Sequence, residues 1–125
     1  AVGTEIFDIL NKAADRSTVP GTTAELDLSR VMQCMETTDG VMALFKHLKQ
    51  TAAACGYGEI GCFQVGGLSD SGITVACGVP TVCGMGVRGA GSHTAAEHAE
   101  VRSLYSRCVL AACAAYTLGD DFAKS

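Results

Sequence analysis

One histidine, His93, stands at the end of a glycine-rich loop, residues 84–93, and its type and position fit metal-ion chemistry. Glycine occupies four of the eight positions from Gly84 to Gly91. Glycine allows positive φ and close approach of backbone to a ligand, and a neutral imidazole is a common zinc ligand. The pattern makes His93 a candidate metal ligand, although a single histidine in a loop is more often an ordinary surface residue.

The same loop contains a glycine spacing, G-x-G-x-x-G from Gly84 to Gly89, that occurs in dinucleotide-binding proteins. There a helix begins near the third glycine, and an acidic residue follows about 20 positions later. Here the loop continues to Thr94, and Leu104 and Tyr105 stand where the acidic residue is expected. The sequence therefore argues against a dinucleotide site.

A second turn, residues 66–72, lies between a predicted strand and a predicted helix, where ligands of open α/β sheets usually bind. Asp70 can cap this helix, can hold a metal ligand in place, or can do both, and capping is the simplest explanation. Ser69 lacks the flanking glycines of a nucleophile elbow. We interpret the turn as a candidate binding segment without a nucleophile.

The remaining histidines, His47 and His98, lie on predicted helices among charged residues. Charged neighbours are typical of a solvated helix face. We expect both imidazoles to face solvent and to take no part in chemistry.

Hydrophobic periodicity predicts the elements that must position these residues. Helices are predicted over residues 5–16, 39–55 and 69–77, and from a capping-box pattern at Thr94–Glu97 onward, with Asp39 as cap of the second helix. Strands are predicted over residues 22–28, 60–65 and 79–85. The apolar residues of the last helix predicted to face the core are Val101, Leu104, Cys108, Ala111, Ala112, Ala115 and Leu118.

Composition excludes some classes of protein. Hydrophobic residues make up 48% of the chain and charged residues 18%, which is enough apolar material for a core. A net charge of −4 argues against a nucleic-acid partner. The longest apolar run, residues 108–116, is far shorter than the roughly 20 residues that span a bilayer, so no membrane partner is predicted.

Seven cysteines are many for this length, but their number is odd and none forms a C-x-x-C pair. A structural zinc site normally has two closely spaced ligand pairs. The pattern instead predicts buried, reduced thiols in a cytoplasmic protein.

The order of several short motifs is more specific than any one of them. The motifs are Val19-Pro-Gly21, Arg30-x-x-x-x-Met35-Glu-x-Thr38, Gly66-Gly-x-Ser-Asp70, Gly78-Val-Pro-Thr81 and the glycine-rich loop ending in His93, followed by Glu97. This order resembles the C-terminal part of the zinc metallopeptidase family that includes aminoacylase, glutamate carboxypeptidase, acetylornithine deacetylase and succinyl-diaminopimelate desuccinylase. The resemblance covers residues 19–118.

The resemblance implies an α/β fold built from parts of two domains. Residues 1–60 would be the second half of a small α+β lid that also dimerises. Residues 61–125 would be the C-terminal β-α-β-loop-α segment of a catalytic domain. The complete enzyme would bind two zinc ions, or other divalent metals, hydrolyse an amide bond and form a homodimer.

The resemblance also implies roles for individual residues. His93 falls on the last metal ligand of the family. Gly67, Ser69 and Asp70 fall on the turn that lines the active-site floor, and Gly91 belongs to the loop that approaches the substrate. Arg30 falls near the lid segment that holds the substrate carboxylate, which implies N-acyl amino acids or small peptides as substrates.

The other metal ligands and the general base of the family are absent from this sequence, which has no His-x-Asp motif and no Glu-Glu pair. A catalytic zinc needs about three protein ligands and an open position. We therefore expect the chain to be a fragment of a larger enzyme and to be inactive alone. The alternative is a non-catalytic dimerisation or interaction module in which His93 has no function.

Overall fold

The computed structural model describes residues 2–16, 18–29 and 31–119, which hold four helices and one small antiparallel sheet. In chain order the elements are α1 (Val2–Ala14), α2 (Asp39–Ala54), α3 (Ser71–Ala76), β1 (Gly89–Ala90), β2 (His98–Ala99) and α4 (Val101–Thr117). The mixed α/β content agrees with the predicted class. Its assignment to a lid and a catalytic segment stays a prediction.

The chain divides into two units, Ala1–Val31 and Met32–Ser125, so the predicted boundary near residue 60 lies inside the second unit. In the first unit, α1 corresponds to the helix predicted over 5–16. The strand predicted over 22–28 is wrong, because these residues form neither helix nor strand. Local hydrogen bonds shape this segment: the Thr22 hydroxyl donates to the Val19 carbonyl at 2.7 Å.

Helix α2 begins and ends through local backbone chemistry. Thr38, which precedes it, accepts a hydrogen bond from the Val41 N–H to its hydroxyl oxygen at 3.2 Å and is the N-cap. The predicted cap, Asp39, is instead the first helical residue, where its negative charge interacts favourably with the positive end of the helix dipole. Gly56 follows the C-cap with φ 71°, so the predicted stop is confirmed.

The core of the second unit lies between α2 and α4. Leu48, Ala52 and Leu110 form its buried cluster. Partly buried residues pack around it, namely Tyr57, Ile60, Val82, Met85 and Ala114. The periodicity of α2 predicts an inward stripe of Leu44, Phe45, Leu48, Ala52 and Cys55. Leu48 and Ala52 are buried, Leu44 and Phe45 are half-buried, and Cys55 is exposed, so the prediction is confirmed only in part.

Helix α4 turns a different face inward from the predicted one. Ser103 and Leu110 are its buried residues, whereas six of the seven predicted core residues are exposed and Leu118 is half-buried. Val101, for example, is 82% exposed. Apolar residues occur on two sides of this helix, and α2 covers only one of them. Within the described residues, no helix is long and apolar enough to cross a membrane.

The strands predicted over 60–65 and 79–85 are also wrong, since both segments are irregular. Phe63, in the first segment, is 85% exposed.

Six of the seven cysteines are exposed and one is half-buried, so the prediction of buried thiols is wrong. All seven are free. Other large apolar side chains of the described residues are exposed as well, including Val65 and Tyr116.

Ser103 ties the glycine-rich loop to the first turn of α4. Its hydroxyl oxygen accepts from the Arg88 N–H at 2.8 Å, and its hydroxyl donates to the Glu100 carbonyl at 2.6 Å. The Glu100 N–H donates back to the Arg88 carbonyl at 2.8 Å. The loop is therefore held at its base by three hydrogen bonds.

Replacement of Ser103 by alanine should lower the free energy of unfolding by about 1 to 3 kcal/mol, because the Arg88 N–H loses its acceptor in a partly buried position. Urea denaturation of the chain measures this change. Ser106→Ala is the matched control, since the Ser106 hydroxyl bonds only to the Ser103 carbonyl of its own helix. Equal losses in the two variants would contradict the bracing role of Ser103.

Candidate functional site

The end of the glycine-rich loop forms a β-hairpin, residues 89–99. Strand β1 pairs with β2 in antiparallel register, with Gly89 opposite Ala99 and Ala90 opposite His98. Gly91 leaves β1 with φ 72°, and a Cβ there would lie 2.8 Å from the Ala96 carbonyl oxygen. Only glycine satisfies both the left-handed backbone and the close approach. The hairpin turn thus depends on Gly91.

His93 lies at the tip of this hairpin in a left-handed conformation, with φ 65°. Among the described residues, no other non-glycine residue has positive φ. This conformation costs about 1 to 2 kcal/mol for a residue with a Cβ. The side chain is exposed, and its imidazole makes no hydrogen bond or ion pair with the part of the chain that is described. The ring nitrogens are therefore available to a ligand.

Glu97 holds the turn in this strained form. Its carboxylate accepts a hydrogen bond from the His93 N–H at 3.4 Å, and its own N–H donates to the Thr94 carbonyl at 3.1 Å. The Thr94 hydroxyl donates to the Gly91 carbonyl at 2.7 Å. These hydrogen bonds close a turn and do not form the predicted capping box, because the Glu97 N–H bonds to the backbone carbonyl of Thr94 and the Glu97 carboxylate bonds to His93. The prediction of a helix there is also wrong, because α4 begins at Val101.

A shallow depression of about 450 Å³ lies on the hairpin, with Ser92, Glu97 and His98 in its wall. His98 is exposed, as predicted, and its Nδ1–H donates to the Ala96 carbonyl at 3.0 Å. The prediction that His47 faces solvent is wrong. It is half-buried, and its Nε2 donates to the Ala114 carbonyl at 3.0 Å, because its position on α2 faces α4 and not solvent.

The described residues do not make a complete metal site. No group of three or more histidine, cysteine, aspartate or glutamate side chains in residues 2–16, 18–29 and 31–119 is placed to hold a metal ion. A catalytic zinc needs about three protein ligands. The described residues can therefore provide one zinc ligand, His93, but they cannot bind a catalytic zinc ion by themselves.

The turn at residues 66–72 is joined to the segment that follows α3. Ser69 Oγ lies 3.5 Å from Cys83 Sγ, and Asp70 is the N-cap of α3 without a side-chain capping bond. Gly72 packs so closely on the backbone of Gln33 that a Cβ would not fit. The backbone at Gln33 is thus held against α3, beside this turn.

The six predicted site residues fall into separate groups in the structure. Gly91 and His93 share the hairpin turn, and Gly67, Ser69 and Asp70 share the turn before α3. Among the described residues, no hydrogen bond or ion pair joins the two groups. Arg30 lies outside the described residues, so its predicted role remains a prediction.

Cys83 is a neighbour of Ser69 that sequence inspection did not single out. Hydrogen bonds from the hydroxyls of Ser69 and Ser71, with a smaller contribution from the Gly84 N–H, lower the pKa of the Cys83 thiol. The two residues are 14 positions apart, and cysteines elsewhere in the chain have similar apolar surroundings. No local pattern marks this one.

Ser69→Ala should raise the pKa of Cys83, because the thiolate loses its strongest hydrogen bond. Below that pKa the thiolate fraction falls, so alkylation of Cys83 should slow by about twofold to tenfold. Mass spectrometry that resolves each cysteine measures the rate as a function of pH, and the difference should vanish well above the pKa. Ser92→Ala is the control, and an equal effect there would contradict the assignment.

Comparisons of this chain with protein-family models, with curated proteins and with solved structures gave no match. The geometry of the site and the order of the motifs are therefore the basis for a function.

Proposed function

We propose that the chain is the C-terminal part of a zinc-dependent amidohydrolase or peptidase similar to aminoacylase and glutamate carboxypeptidase, in which His93 binds one metal ion. The placement of His93 carries this proposal. Its imidazole is exposed and without a partner in the described residues, at the tip of a hairpin, on backbone that is strained for a non-glycine residue. Strain retained at such a position is typical of functional sites.

We place the remaining ligands and the general base on polypeptide outside this sequence. The single ligand available in the described residues supports this placement, as does the exposed apolar face of α4, where Val101 and Leu104 lie uncovered. Exposed apolar surface of this extent is typical of a face that another chain segment covers. Alone, the chain is expected to be inactive.

In such an enzyme, His93 and ligands outside this sequence would hold a zinc ion, which would supply polarisation of the amide carbonyl and a lowered pKa for a bound water. The residues of this chain would present His93 and shape the substrate site. Gly67 has no positive φ and no atom within 4 Å of a Cβ position, so neither strain nor packing within the chain requires glycine there. Its missing side chain leaves room for a ligand.

Arg30, Ser69, Asp70 and Gly91 complete the proposed substrate contacts. A guanidinium binds a carboxylate through two parallel hydrogen bonds, which suits Arg30 to the free carboxylate of an N-acyl amino acid or a small peptide. We also propose a homodimer, which the resemblance implies, and a cytoplasmic location, where free thiols are usual.

The test is to purify the natural protein that contains this sequence and to measure its zinc content and its hydrolysis of N-acetyl amino acids and dipeptides. We expect two zinc ions per subunit and hydrolysis that a chelator abolishes. A protein that forms dimers but neither binds zinc nor hydrolyses these amides would contradict the proposal and support the alternative, a non-catalytic interaction module.

A further inference from the structure

Two arginines lie against one tyrosine ring in the second unit. The Cζ atoms of Arg88 and Arg107 are 5.6 Å and 5.5 Å from the centroid of the Tyr57 ring. An Nη2–H of Arg88 also donates to the Tyr57 hydroxyl oxygen at 3.2 Å. The three residues come from the segment after α2, from the glycine-rich loop and from α4, so the fold brings them together.

Neither guanidinium has a carboxylate partner in the described residues. The ion pair found there joins Lys49 to Glu59 and involves no arginine. The Nε–H of Arg107 is buried and has no hydrogen-bond acceptor among residues 2–16, 18–29 and 31–119. A guanidinium is always charged, and a buried donor without an acceptor is costly. Two like charges on one ring also repel each other, and a bound anion would relieve that repulsion.

The donors that remain suit a small oxyanion. Each guanidinium is a planar fork that matches a carboxylate or a phosphate. The Tyr57 hydroxyl accepts from Arg88, so its own hydrogen is free to donate to a ligand. Hydrogen bonds to Ser103 and Glu100 fix the backbone of Arg88, from which the first fork extends. The Cζ atoms of both arginines lie within 5.6 Å of the Tyr57 ring centroid, so the two forks border the same ring.

We propose that Arg88, Arg107 and Tyr57 form a binding site for a small oxyanion, either a carboxylate or a phosphate. Half-burial of Arg107 and Tyr57 strengthens the attraction relative to a fully solvated pair. The site includes neither His93 nor the turn at residues 66–72. The proposed oxyanion site therefore does not depend on the proposed zinc chemistry.

Titration of the 125-residue chain at low salt tests the site, with N-acetylglycine and inorganic phosphate as separate probes. The readout is the NMR shift of the arginine Nε–H groups and of the Tyr57 ring. We expect saturable shifts at Arg88, Arg107 and Tyr57, and the probe that binds more tightly identifies carboxylate or phosphate as the ligand chemistry. Shifts that sodium chloride reproduces at the same ionic strength would overturn the proposal.

Variants separate the site from general electrostatics. Arg88→Gln and Arg107→Gln should each weaken binding by about tenfold, because each removes charged hydrogen bonds to the anion. Arg102→Gln removes the same charge from an exposed position on α4 and should change binding by less than about twofold. Arg88 is exposed, so its variant keeps the test valid if Arg107→Gln does not fold. Equal weakening by Arg102→Gln would overturn the site.

Discussion

Replacement of His93 by alanine in the natural protein is expected to remove one of the two proposed zinc ions per subunit and to lower the kcat of the proposed amide hydrolysis by more than about 100-fold. Loss of an outer hydrogen-bond partner of a metal ligand already costs about 10 to 100-fold in metal affinity or activity, so loss of the ligand itself should cost more. Elemental analysis for zinc and the rate of N-acetyl amino acid hydrolysis measure the two effects.

His93→Asn is the sharper variant, because asparagine tolerates the left-handed backbone but does not supply an imidazole. It should lose the metal ion as alanine does, with less disturbance of the turn. His93→Gly should leave the thermal stability of the chain unchanged or slightly raised, because glycine removes the strain at φ 65°. Ser92→Ala, one residue away, should keep full zinc content. Full zinc content and activity in His93→Asn would show that the residue is not a ligand.

The helices could be predicted from sequence because their signals are local. Helix α2 stops at the predicted Gly56, starts within one residue of the predicted cap and buries the middle of its predicted stripe, Leu48 and Ala52. Helix α3 follows Asp70 and ends before Gly78, as the turn residues indicate. Backbone hydrogen bonds within a helix join residues four apart, so a short window contains most of the information.

The strands could not be predicted because a strand needs a partner that a local pattern does not contain. The apolar run at residues 60–65 predicts burial between helices, yet in this chain it has no neighbouring strand and Phe63 is exposed. The strands that do form, β1 and β2, are two residues each and lie in a loop and in a predicted helix. Their pairing depends on Gly91 and on the turn that Thr94 closes.

The candidate site likewise combines features that a local sequence pattern shows with features that depend on tertiary contacts. The glycine-rich loop marked His93 because glycine and histidine types are visible in sequence. The left-handed backbone of His93 and its support by Glu97 were not visible, since they follow from the hairpin. The cluster of Arg88, Tyr57 and Arg107 left no local trace either, because its members are 19 and 31 positions apart. Only tertiary contacts bring those side chains onto one ring.

Leu110→Ala is expected to lower the free energy of unfolding of the chain by about 2 to 5 kcal/mol, because Leu110 is fully buried between α4 and α2 and its loss leaves a cavity. That is a large part of the free energy of unfolding of a whole domain, which is about 5 to 15 kcal/mol. Denaturant unfolding followed by circular dichroism measures it. Leu104→Ala makes the same change on the same helix at 52% exposure and should cost less than about 0.5 kcal/mol. Equal losses of unfolding free energy in the two variants would contradict the placement of Leu110 in the core.

The same pair of variants tests whether the exposed face of α4 is covered in the natural protein. If other polypeptide packs on that face, Leu104 becomes buried there, and Leu104→Ala should then cost about 2 kcal/mol or more in the natural protein while remaining nearly neutral in the 125-residue chain. Leu110→Ala should cost a similar amount in both, because α2 already covers it. A Leu104→Ala effect that stays near zero in the natural protein would place the remaining polypeptide elsewhere, and the exposed apolar face of α4 would lose its explanation as part of a larger catalytic domain.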